Sequence, residues 1–224
     1  MLGTGRCRLG RRPSLAMHEV DARLLNWRFV VPDEPRGLLL LPAGHERLEG
    51  AVSPEPSPPA LSTALREGPY PAVVAPDLAM WAGLERRRRS AELLARLGES
   101  VGRGGWLFAG FPNAWHPARP ATAGALGLGA ARRIVALSGL VMVDAYVALP
   151  DQRCPAYLVS IDRPAELEYF LRRLFRPYAG SLSGWRAGLR QRSLSVMRTA
   201  ALGLPHGLRL KFAPALGIVA RRPR

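Results

Sequence analysis

Cysteine is nearly absent. Cys7 and Cys154 are the two in 224 residues and lie far apart. They match no metal-ligand spacing and give weak grounds for a disulfide, which points to a reducing, cytoplasmic protein. Lysine is scarcer still: of 32 basic residues, Lys211 alone is not arginine. No apolar run reaches the ~18 residues that a membrane-spanning helix needs. His18 and His206 are isolated, and no two histidines have metal-ligand spacing. Neither a Gly-x-Ser-x-Gly elbow nor a Walker phosphate loop occurs. These absences set aside disulfide scaffolds, zinc modules, P-loop and serine-hydrolase chemistry, and helical membrane spans.

What is present suits a folded α/β domain. Hydrophobic residues make up 48% of the chain and the mean hydropathy is near zero, outside the range of disordered chains. The length allows one domain with a full core. The basic stretch Met1–Arg12 lacks the apolar core of a secretory signal, and Ser14–Glu19 is too short to supply one. Residues 1–18 read as a poorly ordered basic lead-in, with Met17 an alternative start, and residues 19–224 as a single α/β domain. Net charge is +15, which attracts phosphates, nucleic acid or anionic lipid. The arginines are scattered through every segment and are not interleaved with aromatic residues as a base-stacking platform requires. A solvated basic surface therefore explains them as well as a nucleic-acid interface does.

Along the chain, Asn26–Pro32 is an apolar entry segment made extended by Pro32 and Pro35. Gly37–Leu41 is a continuous apolar run, as expected of a central parallel strand covered on both faces. A helix is expected from His45 to Val52, then a polyproline-like linker over Ser53–Pro59. Leu61–Arg66 reads as a short helical turn and Tyr70–Asp77 as a second strand. Leu84–Val101 carries a helical stripe of Leu84, Leu93, Leu94 and Leu97, stopped by Gly102, Gly104 and Gly105. Gly105–Phe111 is a third strand, opening into the loop Pro112–Pro117. Gly124–Leu137 is a helix with Ala125, Leu128, Ile134 and Leu137 inward. Leu140–Pro150 is a long strand and Ala156–Ile161 a short extended stretch. Glu166–Phe175 and Trp185–Leu202 are helices, and Arg209–Arg222 is the last strand. Alternating strands and helices imply a parallel sheet with crossover helices, and ligands of such sheets sit at the carboxyl ends of the strands. The loops in question are Pro42–Glu46, Pro76–Trp81 and Phe111–Pro117.

In this organisation, most clearly from Tyr70 to Leu149, the chain resembles the class I S-adenosylmethionine (SAM)-dependent methyltransferases. The resemblance is carried by Ala91–Gly98 leading to Gly104-Gly105-Trp106-Leu107-Phe108, and by Ala130–Ile134 leading to Gly139–Tyr146. Phe212–Arg222 looks like the family's final antiparallel strand. The implied fold is α/β: a Rossmann-like, mostly parallel sheet with crossover helices, an antiparallel final strand, and a helical insertion over 150–205 before that strand. The implied cofactor is SAM, lined by Pro42, Ala43, Gly44 and His45 after the first strand and by Pro76, Asp77 and Leu78 after the second. Asn113 and Trp115 would face the methyl acceptor, with His116 as a candidate general base. The chain departs from the family at the first loop. Against the pattern acid-x-Gly-x-Gly-x-Gly stand Leu40, Pro42, Gly44 and Glu46, so that Gly44 alone matches and Pro42 has no N–H to offer. Between Gly44 and Pro69 there is also too little chain for two crossovers of at least ~10–12 residues with their strands.

Each candidate also has a plain structural role. His116 can be an ordinary loop histidine, Asp77 a helix N-cap and His45 an exposed turn residue. Three functions remain open: a methyltransferase for a small molecule or peptide in specialised biosynthesis; a catalytically inactive scaffold or binding subunit for a partner enzyme; and a basic peripheral protein on anionic lipid or RNA. In the last, Phe170, Leu171, Leu174, Phe175 and Tyr178 form one helix face that could lie on a membrane, cover a cleft or form a dimer interface.

Overall fold

A computed structural model describes residues 36–41, 50–84, 90–116, 124–149, 151–153, 155–174, 188, 192, 196, 199 and 202–224. Their elements run β1 (Leu38–Leu39), α1 (Pro58–Glu67), β2 (Tyr70–Ala75), α2 (Leu78–Leu84), α3 (Ser90–Glu99) and β3 (Val101–Pro112). Then come α4 (Leu128–Leu137), β4 (Val141–Leu149), β5 (Tyr157–Ser160), α5 (Pro164–Leu174), α6 (His206–Arg209), a 3-10 turn (Leu210–Phe212) and β6 (Ala215–Arg221).

The six strands form one sheet in the order β1-β2-β3-β6-β4-β5. β1, β2 and β3 are mutually parallel. β6 pairs antiparallel with both β3 and β4, so β4 runs in the direction of β1 to β3. The fold is α/β and Rossmann-like, in agreement with the alternation of elements along the sequence. Side chains alternate across each strand with period two. Val73, Leu107, Ala109, Phe111, Leu216, Ile218 and Ala220 point into the larger core, which takes in Leu61 of α1, Trp81 of α2, Leu93, Leu94 and Leu97 of α3, and Ala131 and Val135 of α4. Their strand neighbours Val74, Phe108 and Val219 join Leu39 and Leu41 in a smaller buried cluster on the opposite face. A strand buried on both faces has no polar positions to alternate, which is why these segments read as unbroken apolar runs.

Several expectations are corrected. The helix expected to reach Val52 does not: Val52 lies extended, in an isolated parallel bridge with Leu38, and exchanges backbone hydrogen bonds with Gly37 and Leu39. The linker over Ser53–Pro59 ends early, because Pro58 and Pro59 open α1 and the Ser57 hydroxyl caps it by accepting from the Ala60 N–H. Proline suits that first turn, whose N–H groups have no helical partner. Val101–Gly105 is strand rather than helix end and stop signal. Leu137 faces solvent at 82% exposed, whereas Leu128 and Ile134 pack against the core as expected, beside the fully buried Ala131 and Val135 of α4. The expected last strand from Arg209 starts at Ala215, after α6 and the 3-10 turn. The insertion holds a strand as well as helix, since β5 pairs antiparallel with β4. The lead-in of residues 1–18, the Asn26–Pro32 segment and most of the Trp185–Leu202 helix lie outside the described residues.

Candidate functional site at the strand ends

β2, β3 and β4 all finish at the same end of the sheet. The segments that leave them form a cleft of about 420 Å³ lined by Ala79, Met80, Pro112, Gly124, Asp151, Gln152 and Arg153. That is the size of a small-molecule site. Two glycines let its walls approach. A Cβ on Gly110 would run into the Pro76 carbonyl, and one on Gly124 would run into Ala79.

Asp77 organises the floor. It lies just past β2 and is 1% exposed. Its Oδ1 accepts from the Met80 N–H at 3.3 Å, capping α2, and from Gln152 Nε2 at 3.1 Å. Its Oδ2 accepts from Arg153 Nε at 2.9 Å. A carboxylate this deeply buried needs both donors and a counter-charge, and residues 152 and 153, just past β4, supply them. Gln152 is 5% exposed, and its Oε1 is buried without a hydrogen-bond partner. Asp151 Oδ1 accepts from the Arg153 N–H at 2.8 Å and shapes the turn. The Arg153 side chain remains 69% exposed beyond the ion pair.

The loop after β3 is pinned by Asn113, which is buried. Its Nδ2 donates to the Leu210 and Ala213 carbonyls, each at 2.9 Å, and its Oδ1 accepts from the Trp115 N–H at 3.1 Å. Asn113 thus ties the end of β3 to the turn that leads into β6. Trp115 is 64% exposed. Lys211 Nζ sits 5.2 Å from the centre of its ring, a cation–π contact. His116 is half-buried, and its N–H donates to the Asn113 carbonyl at 3.2 Å.

The residues expected from sequence therefore fall into three groups. Pro42, Ala43, Gly44 and His45 lie outside the described residues. Pro76, Asp77 and Leu78 stand together after β2, with Leu78 fully buried in the core and both Asp77 oxygens engaged. Asn113, Trp115 and His116 stand together after β3. Asp151, Gln152 and Arg153 have no place in the sequence expectation. The rule that points to the ends of the second and third strands applies equally to the end of Leu140–Pro150, and it would have found them there. Among the described residues no cluster of three or more His, Cys, Asp or Glu side chains could hold a metal, and no helix is long and apolar enough to cross a membrane. The cleft offers a guanidinium, a carboxylate and an apolar wall of Ala79, Met80 and Pro112, a set suited to holding a small polar molecule.

No family model and no curated protein matches the chain. Among solved structures it is similar to the crystal structure of the [4+2]-cyclase SpnF, at 13% identity and a TM-score of 0.31, over 70% of this chain. The alignment spans half the length of that protein.

Proposed function

We propose that this chain is a SAM-methyltransferase-like protein that binds a small molecule or peptide at the carboxyl ends of its parallel strands. The observation that carries the reading is the place of β6: a final antiparallel strand seated between β3 and β4, which run the other way. A closing antiparallel strand is what the resemblance to class I methyltransferases anticipates, and the cleft lies at the strand ends where α/β sheets take ligands. SAM, when bound, supplies an electrophilic methyl group; the protein's part is to hold an acceptor in line with it. The Leu78 side chain is buried and the Asp77 carboxylate is engaged within the protein; the resemblance assigns cofactor recognition to Pro42, Ala43, Gly44 and His45 as well. Asn113 serves as the pin of the loop that carries Trp115 and His116, the residues assigned to the acceptor.

A second reading keeps the ligand site and drops the chemistry, making the chain a binding or scaffold subunit for a partner enzyme. It is favoured by the first loop, where Gly44 alone matches the glycine pattern, and by the internal engagement of Asp77 and Asn113. Calorimetric titration with SAM and with S-adenosylhomocysteine separates the two. Micromolar binding that a Gly44→Leu change weakens is the expected result for the first reading. Folded protein that binds neither ligand at millimolar concentration leaves the second.

A further inference from the structure

We propose that Arg153, fixed along one edge to Asp77, is the receptor for a carboxylate entering the strand-end cleft, carried by a small acid or by the end of a peptide. The proposal rests on reading this cleft as the ligand site. A surface arginine ordinarily moves among many rotamers, and holding it still costs entropy. Here the cost is met within the protein. Nε is bonded to Asp77 Oδ2 at 2.9 Å, and Asp77 is itself held by the Met80 N–H and Gln152 Nε2. A guanidinium has five N–H donors. One is used on Asp77, and neither Nη group makes a hydrogen bond among the described residues. The remaining donors form a fixed fork at the cleft wall, matched to the two oxygens of a carboxylate.

The surroundings narrow the ligand further. Ala79, Met80 and Pro112 give it an apolar side to rest on. Asp151 stands in the same wall, bonded to the Arg153 N–H, and shapes the turn that carries the fork. Asp77 offsets much of the Arg153 charge, so the fork acts by directed hydrogen bonds more than by net attraction. Gln152 Oε1 is closed off beneath the wall and takes no part. The +15 charge of the chain draws anions everywhere on the surface, so a test must separate this site from that background.

The test is calorimetric titration of the full chain at physiological salt with phenylacetate, phenylacetamide and inorganic phosphate. A second pair of probes is acetyl-Ala-Phe with a free carboxylate and the same peptide as its amide. The expected result is that at least one acid binds about tenfold or more tightly than its amide, and more tightly than phosphate. Whichever acid shows the larger preference identifies the source as a free acid or a peptide end. Arg153→Lys keeps the counter-charge for Asp77 but not the fork, and removes the preference. Arg221→Lys, remote from the cleft, leaves it intact. If Arg153→Lys does not fold, the paired change Asp77→Asn with Arg153→Gln removes both charges together and serves instead. Equal binding of acid and amide by the unaltered protein, or a preference that survives loss of the fork, overturns the proposal. Carboxylate binding without any S-adenosylhomocysteine binding retains the site and removes the methyltransferase reading alone.

Discussion

Asn113 shows how much one side chain can hold. It ties the end of β3 to the turn before β6, bonding two carbonyls there and an N–H two residues along its own loop. Asn113→Ala removes the side-chain partner of the Ala213 carbonyl and of the Trp115 N–H, while the Leu210 carbonyl keeps the Ala213 N–H, at a cost of about 2–3 kcal/mol; urea denaturation is expected to show a lower midpoint with an unchanged slope. Trp81 plays a similar part beneath β1. It is fully buried and its Nε1 donates to the Leu40 carbonyl at 2.9 Å, so α2 is locked to the segment that leaves β1. Gly110 acts by what it lacks. Gly110→Ala drives a methyl group into the Pro76 carbonyl, and such overpacking costs about 1–3 kcal/mol. Because that carbonyl precedes Asp77, the same substitution is expected to weaken ligand binding in the cleft, read by the same titrations.

At the scale of elements, Glu168 and Tyr146 link stability to pH in opposite directions. Glu168 of α5 accepts from Arg172 on its own helix and from Arg209 of α6, whose Nη1 lies 3.0 Å away. These bonds hold the Glu168 carboxyl below its ordinary 4.5. A lowered folded value means that the contribution is present above the unfolded pKa and is lost as pH falls through the folded one. Amide protection in α5 and α6, taken relative to intrinsic exchange at each pH, is expected to fall on acidification below about pH 4.5, and Glu168→Gln to remove that change. Tyr146 of β4 works in the other direction. Burial, followed by its hydrogen bond to Asp144, raises the phenol well above its ordinary 10.0. The neutral form is favoured in the fold, so this stabilisation is whole below pH 10.0 and declines as the pH rises above it. Tyr146→Phe is expected to flatten the alkaline limb of stability against pH, measured by thermal unfolding.

For the whole molecule, the decisive element is the last strand. β6 is buried along nearly its full length and completes the hydrogen bonding of both β3 and β4. Removing residues 215–224 opens two strand edges at the centre of the sheet, and two-state unfolding is expected to be lost rather than merely weakened. Loss of a peripheral strand such as β5, which pairs with four residues of β4, has a smaller effect. The cleft depends on the same closure. Its walls come from the ends of β2, β3 and β4, and β6, seated between β3 and β4, is what holds those two strands in one sheet. Calorimetry or circular dichroism of the two truncations tests the difference.

Composition and local pattern determined the class of fold. The apolar runs at Tyr70–Ala75, Leu107–Phe111 and Leu216–Ala220 are long enough for strands and carry no polar alternation, which marks strands covered on both faces. The stripe of Leu93, Leu94 and Leu97 repeats at the helical period and does line the core. The strand-end rule then pointed to Asp77 and to Asn113, Trp115 and His116. Local pattern did not reveal that Ser57 makes a helix start of two prolines, or that Val101–Gly105 extends β3, because a cap and a pairing partner are settled by neighbours. Nor did it bring Gln152 and Arg153 to Asp77, a contact across about 75 positions of chain. Sequence periodicity reports which face of an element is buried; it carries no record of which strand edge is left open, or of which distant donor a buried carboxylate will need. The seat of β6 between β3 and β4, and the charge pair under the cleft, were decided by tertiary structure, where an unpaired edge and an unpaired charge each demand a partner.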